Sequence, residues 1–201
     1  MPLKIENDDQ LRGVQYQVSE GVQAIQDYLV HRNCEDGRIK FPWGYIRRAN
    51  IHLERYFFIS DQILRRNFAY ALIGSDVFRW ILNRTTIKGV ARDMIIKENI
   101  CLMAQLIESL TYDILRPHYS KKQINNYKKR TNLLHEAGII TEKLRTELNW
   151  VWDARQSQHL FLMEIREHDH YDIKQSNRAV RAASKLRDLV EARFNERGSL
   201  M

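Results

Sequence analysis

The sequence predicts an all-α fold, a helical bundle of about six to seven helices in a single compact domain. Apolar side chains recur every three to four residues along most of the 201-residue chain, which is the period of a helix. The chain has only 8 glycines and 3 prolines and no sustained alternation of Val, Ile and Thr, so the signals of a sheet are missing. An apolar content of 44% is enough to build one core.

The N-terminal part divides into a polar segment and a first helix. Residues 1–15 are polar and without a pattern, and we expect a single helical domain over residues 16–197. The first helix is predicted at about 15–32, where apolar residues recur at helical spacing. The loop that contains Pro42 and Gly44 is the one candidate for a boundary within the chain.

Two helices are predicted after this loop, at residues 45–58 and 61–83. Ser60 is the expected N-cap of the second one, because a serine hydroxyl can accept a hydrogen bond from the first turn. Ile63 and Phe68 are expected to supply contacts to the core.

The longest apolar-periodic segment runs from 86 to 115 and predicts the central helix of the bundle. Pro117 follows it, and proline cannot continue a helix. Residues 120–136 predict one further helix, which Gly138 ends as a helix stop.

The C-terminal part predicts two helices joined by a polar loop. Thr141 is the expected cap of a helix that extends to about residue 163. A polar loop covers 164–171, and the last amphipathic helix opens at Asp172 or Ser176.

Charge and cysteine content narrow the class of partner and the compartment. The 32 Lys and Arg exceed the 25 Asp and Glu, and this net charge of +7 is compatible with a polyanionic partner. Cys34 and Cys101 are too few for a disulfide framework, so we expect both to be reduced and buried. The charged N-terminus lacks the apolar run of a signal peptide, and no apolar stretch of about eighteen residues occurs. We therefore expect a cytoplasmic protein without membrane contact.

The segment most indicative of chemistry places Arg155 and His159 four residues apart. Both continue the helical stripe of Leu144, Leu148 and Trp152, so two polar groups extend a face that otherwise suits packing. An arginine that stabilises a phosphate and a histidine that transfers a proton are sufficient to cleave a phosphodiester without a metal ion.

The sequence around this pair resembles a known superfamily. Residues 133–141, LLHEAGIIT, lead into a helix that carries Arg155-Gln-Ser-Gln-His159-Leu160. This combination resembles the HEPN superfamily, in which a turn of this kind often precedes a helix bearing Arg, commonly followed by Asn, then a nearby His and Leu. Gln156 stands here in place of Asn, and the gap between Arg155 and His159 is three residues. The resemblance covers about residues 120–195.

The resemblance implies a function as well as a fold. Many HEPN proteins are homodimeric, metal-independent ribonucleases in which the Arg and His of two protomers meet in one cleft, and many act as toxins or in phage defence. It thus implies RNA as substrate, a homodimer and a cognate antitoxin protein as partners, and no cofactor or metal. His159 would act as general base or acid on the ribose oxygens, while Arg155 would stabilise the phosphate charge.

A cluster of basic residues precedes this segment and predicts contacts to RNA. On a helix, several of these side chains share a broad face that would suit a phosphate backbone. The alternative is that these lysines lie on an exposed helix face and only keep the protein soluble. The candidate RNA-binding residues are Lys121, Lys122, Lys128, Lys129 and Arg130.

A purely structural role is the alternative for the Arg155 and His159 pair. Arg155 would then pair with an acid such as Glu147, Asp153 or Glu164, and His159 would be an interior histidine.

Two other functions remain open. The same helix face could dock a partner or a second copy in a non-catalytic helical interaction protein. A metal-dependent hydrolase is the other alternative, because His168 and His170 are flanked by carboxylates and could bind a divalent metal.

Overall fold

The computed structural model describes residues 3–32, 34–40, 44–156 and 171–198. These residues form α-helices and one short 3₁₀ turn, Glu35–Gly37, without a strand, which confirms the all-α prediction. No helix among them is both long enough and apolar enough to traverse a lipid bilayer. The eight helices within the described part are α1 Asp8–Leu29, α2 Ala49–Arg55, α3 Gln62–Arg84, α4 Gly89–Leu115, α5 Lys121–Ile124, α6 Tyr127–Glu136, α7 Glu142–Gln156 and α8 Ile173–Arg197.

The chain divides into two compact units, Met1–Trp43 and Gly44–Met201. The division falls at the loop that the sequence offered as its one candidate boundary. It lies inside the range 16–197 that we predicted as one domain.

The first unit consists of α1 and the segment that follows it. The helix starts at Asp8, not near residue 15, because Asn7 caps it with a side-chain oxygen that accepts from the Gln10 amide at 2.9 Å. Asp8 and Asp9 in the first turn also interact favourably with the helix dipole. Much of the segment predicted to be unpatterned is therefore helical. None of the residues of α1 is buried.

In the second unit, α4 is the central helix, as the sequence predicted. Twelve of its residues are buried, and α3, α6, α7 and α8 all pack against it. α7 also packs against α6 on one side and α8 on the other. The core therefore surrounds α4, while α7 lies at the position where three other helices converge.

A chain of buried hydrogen bonds crosses this core. The Ser75 hydroxyl of α3 donates to Asn99 Oδ1 of α4 at 2.8 Å, and Asn99 Nδ2 donates to the Ser176 hydroxyl of α8 at 2.8 Å. All three side chains are buried. Since a buried polar group without a partner is costly, these bonds favour one mutual arrangement of the three helices.

A buried carboxylate anchors the chain before α2 to α3. Asp76 accepts from the Arg47 backbone amide at 3.1 Å and from Arg47 Nε at 2.9 Å, and His52 Nε2 lies 3.3 Å away. Burial alone would raise the pKa of Asp76, but the hydrogen bonds from His52 and Arg47 outweigh it and hold this pKa well below its usual range. The carboxylate is therefore ionised and joins residue 47 to the middle of α3.

Three local predictions are wrong. Asp61 caps α3 in place of Ser60, because its carboxylate accepts from the amide of Ile63 at 3.0 Å and a second amide of the first turn. Ile63 itself is 72% exposed and makes no core contribution. Cys34 is exposed and Cys101 half-buried, so the two cysteines are not both buried.

The predicted helix at 120–136 is two helices, α5 and α6. Asn126 interrupts it, because its side-chain oxygen accepts from the Lys129 amide at 3.1 Å and starts a new helix. The predicted stop at Gly138 is confirmed by a positive φ of 65°, and the Thr141 hydroxyl caps α7 as expected. α8 opens at Asp172, the first of its two predicted caps.

Replacing Asn99→Ala should lower the free energy of unfolding by about 2–4 kcal/mol, because two buried hydroxyls lose their partner and a small cavity forms. Urea unfolding measures this change. Asn67→Ala on the exposed face of α3 is the matched control, with an expected change within about 0.5 kcal/mol. Equal effects of the two substitutions would contradict the role assigned to Asn99.

Candidate functional site

Arg155 lies in the last turn of α7 and is held by two contacts. Its Nη1 donates to Glu108 Oε2 of α4 at 2.6 Å, and its Cζ lies 5.1 Å from the centre of the Trp152 ring. The side chain is 33% exposed, so the guanidinium is fixed but still reaches solvent. This geometry leaves one face of the guanidinium group accessible at the end of α7.

Among the acids expected to pair with Arg155, two have other partners. Glu147 accepts from Arg178, and Asp153 pairs with Lys128. The third, Glu164, lies outside the described residues. The actual partner, Glu108, is forty-seven residues away in sequence, and no sequence pattern distinguished it from the other carboxylates of the segment 86–115.

Glu108 also faces a second arginine. Arg130 Nη2 lies 3.6 Å from Glu108 Oε1, and its other nitrogens donate to the carbonyl of Ile124 at 2.8 Å and to the hydroxyl of Thr111 at 3.3 Å. The arginine is 4% exposed, and this burial lowers its pKa while Glu108 opposes the change. The burial is at odds with the phosphate-contacting role predicted for Arg130, which instead joins α4, α5 and α6.

An aromatic stack fastens α6 to α7 beside Arg155. The rings of Tyr127 and Trp152 are nearly parallel, with centroids 4.5 Å apart and 9° between their planes. The Tyr127 hydroxyl donates to the carbonyl of Leu148 at 3.1 Å, and burial raises the pKa of this phenol, which is therefore neutral near pH 7. The stack holds the ring that supports Arg155.

The four lysines predicted to bind RNA are exposed. Lys121 and Lys122 lie on α5, and Lys128 and Lys129 open α6. Lys128 Nζ forms an ion pair at 2.7 Å with Asp153, two residues before Arg155 in α7. The structure therefore brings the start of α6 to the Arg155 end of α7.

A small cavity of about 360 Å³ borders Glu108 on its other side. Tyr112, Asp113, Arg116 and Arg130 contribute to its wall. Burial raises the pKa of Asp113, although Arg116 Nη2 lies 2.9 Å from one of its oxygens. The cavity thus contains both acidic and basic groups, most of them already paired.

The predicted histidines fall outside the described residues. This applies to His159 of the Arg155 pair and to His168 and His170 of the proposed metal loop, none of which the structure places. Within the described ranges, no group of three or more His, Cys, Asp or Glu side chains is arranged to hold a metal ion.

Replacing Glu108→Gln should lower the free energy of unfolding by about 1–3 kcal/mol, because the buried Arg130 loses its counter-charge. Asp153→Asn is the control: it breaks a pair whose side chains are 52% and 55% exposed, and a change below about 1 kcal/mol is expected. Urea unfolding of both variants tests this, and a larger loss for Asp153→Asn would refute the assignment.

Comparison of the chain with protein-family models, with curated proteins and with solved structures finds no significant match. The case for a function is therefore built on the residues of this chain and their geometry.

Proposed function

We propose that this protein binds RNA and cleaves it without a metal ion, with Arg155 and His159 as the catalytic pair. The observation that best supports this function is the position of Arg155. Its guanidinium is held by Glu108 and Trp152 at the end of α7, remains one-third exposed, and precedes His159 by four residues in the sequence.

Among the described residues, only Glu108 accepts a hydrogen bond from Arg155, which leaves donors for a phosphate. A guanidinium carries five N–H groups, and the bond to Glu108 uses the nitrogen Nη1. The others suit the non-bridging oxygens of a phosphodiester, where negative charge grows as the attacking oxygen adds. Because Glu108 and Trp152 fix the side chain in advance, little reorganisation is needed when the substrate binds.

His159 would supply the proton transfers. An imidazole with an ordinary pKa of about 6.5 can take a proton from a ribose 2′-hydroxyl and return one to the leaving 5′-oxygen near neutral pH. General acid–base catalysis contributes about 10² to 10⁴-fold, and one fixed charge donor about 10² to 10³-fold. The pair therefore suits a ribonuclease of modest rate.

The HEPN resemblance supports the wider setting of this proposal. A homodimer would bring two copies of Arg155 and His159 into one cleft. A cognate antitoxin protein in the cytoplasm would then control the activity.

Purified protein should cleave a pool of structured RNA in excess EDTA, since neither proposed group needs a metal. Arg155→Ala and His159→Ala should each abolish cleavage while circular dichroism shows unchanged helix content. Cleavage that survives both substitutions, or that EDTA alone removes, would overturn the proposed pair, and the latter result would favour the His168 and His170 hydrolase.

The exposed lysines of α5 and α6 should contribute to affinity for RNA. Replacing Lys121, Lys122 and Lys129 by Gln should reduce the slope of log affinity against log salt by about 2, since each phosphate contact on a single strand contributes about 0.7. Fluorescence anisotropy with a labelled single-stranded RNA measures the slope.

A control triple removes the same number of charges elsewhere: Arg66→Gln, Arg79→Gln and Lys88→Gln, all at exposed positions. An equal reduction of the slope in the control triple would mean that only total charge matters.

The second candidate is a non-catalytic helical interaction protein, and α1 favours it. Val18, Val22 and Ile25 follow one another at helical spacing and are all exposed. Apolar side chains on such a helix suit association with a partner. Under this hypothesis, the protein cleaves no RNA, so His159→Ala has no activity to remove.

A further inference from the structure

A second basic surface lies on α8, away from the residues predicted from the sequence. Lys174, Arg178, Arg181 and Lys185 follow the spacing i, i+4, i+7 and i+11, which places them in one stripe along the helix. Lys174, Arg181 and Lys185 are exposed, and Arg178 is half-buried.

Three residues of this stripe, Arg178, Arg181 and Lys185, form one wall of a groove between α7 and α8. Lys143 and Glu147 of α7 line the opposite wall, and the space enclosed is about 240 Å³. A further 280 Å³ continues the groove toward Leu144 and Leu189, whose side chains are apolar. We call the combined space the α7–α8 groove.

One cation of this groove is rigidly held. Arg178 donates to both Glu147 oxygens, at 2.6 and 3.1 Å, and its Cζ lies 4.0 Å from the centre of the Trp150 ring. The Arg178 hydrogen bonds, together with the charges of Lys185 and Lys143, lower the pKa of Glu147. Glu147 is thus ionised and compensates the charge of Arg178.

The other cations of the groove have no ion-pair partner among the residues that the structure describes. They are Lys143, Arg181 and Lys185. The one further carboxylate in the described groove lining, Asp188, pairs with Arg187 on its own helix. The groove therefore carries a clear excess of positive charge along about two turns of α8, from Arg178 to Lys185.

We propose that the α7–α8 groove binds the phosphate backbone of single-stranded RNA. Successive turns of α8 place its charges roughly 5–6 Å apart, which is the scale of the spacing between neighbouring phosphates of an extended strand. The cations suit the phosphates, and the apolar side chains of Leu144 and Leu189 suit the less polar faces of sugars or bases.

A nucleic acid strand fits this surface better than an anionic membrane does. Membrane-binding helices bury a protruding apolar face in the interface. Here Leu144 is buried and Leu189, at 39% exposed, is the one exposed apolar side chain in the described lining, so the groove presents no broad apolar face for insertion.

This inference rests on the proposed function and extends it. α7 lies between α6 and α8, so the lysines of α5 and α6 flank one side of α7 and the groove flanks the other. An RNA strand that contacts both surfaces would cross α7, the helix that carries Arg155.

The test compares RNA binding by two triple variants. The groove triple, Lys143→Gln, Arg181→Gln and Lys185→Gln, should bind a labelled single-stranded RNA about tenfold to thirtyfold more weakly at 0.1 M salt. The slope of log affinity against log salt should fall by about 2. The control triple (Arg66→Gln, Arg79→Gln, Lys88→Gln) should bind like the unmodified protein. If the groove triple does not fold, Lys185→Gln alone should lower the slope by about 0.7.

The outcomes separate this inference from the function on which it rests. If the groove triple binds RNA like the unmodified protein while Arg155→Ala still abolishes cleavage, the groove proposal is overturned and the proposed function stands. If the unmodified protein binds no RNA, both fail. The groove proposal would also be overturned if the groove triple lost binding to vesicles containing phosphatidylserine while its binding to RNA stayed like that of the unmodified protein.

Discussion

The arrangement of the second unit depends on the buried amide of Asn99. Apolar contacts around α4 have no direction and would tolerate small rotations of the helix, whereas the bonds from Ser75 and to Ser176 fix its orientation against α3 and α8. Glu108 lies nine residues further along, where a rotation of 100° per residue places it on the opposite face of α4. Asn99 on one face of α4 thus helps to set the position of Glu108 on the opposite face, where Glu108 accepts from Arg155.

Glu108 gives the candidate site both its order and a constraint. The carboxylate lies between Arg155 and Arg130, so it compensates the buried charge of Arg130 and the partly exposed charge of Arg155 together. A substrate phosphate near Arg155 therefore approaches an anion that is already present. Glu108 fixes the position of Arg155, but its negative charge also weakens the positive potential around the guanidinium. Additional cations are therefore needed to attract a polyanion. In the proposed function, the exposed lysines of α5 and α6 and the cations of the α7–α8 groove would supply that charge.

Much of the fold could be predicted because it follows from local chemistry. Helical periodicity predicted α4, and the stop at Gly138 and the caps at Thr141 and Asp172 follow from short-range preferences of those residues. The early start of α1 was missed because a capping asparagine and two aspartates, not apolar residues, begin it.

The candidate site was harder to predict because its contacts are distant in sequence. A periodic pattern shows which face of a helix carries Glu108 but not which residue of another helix meets it. Arg130 illustrates a different error: the basic residues around it suggested exposure, yet it shares the buried face of Tyr127 and Leu134 at helical spacing. For Arg130, position on the helix indicated burial better than its charge indicated exposure.

Two tryptophans of α7 each lie beneath one of the cations discussed above. Trp152 supports Arg155 and stacks on Tyr127, whereas Trp150 supports Arg178 in the α7–α8 groove. Indole emission responds to charges placed close to the ring. Each of the two surfaces therefore has its own indole. Because Trp43 and Trp80 also emit, Trp→Phe variants that retain only Trp150 or only Trp152 would report ligand binding at each surface separately, without an attached dye.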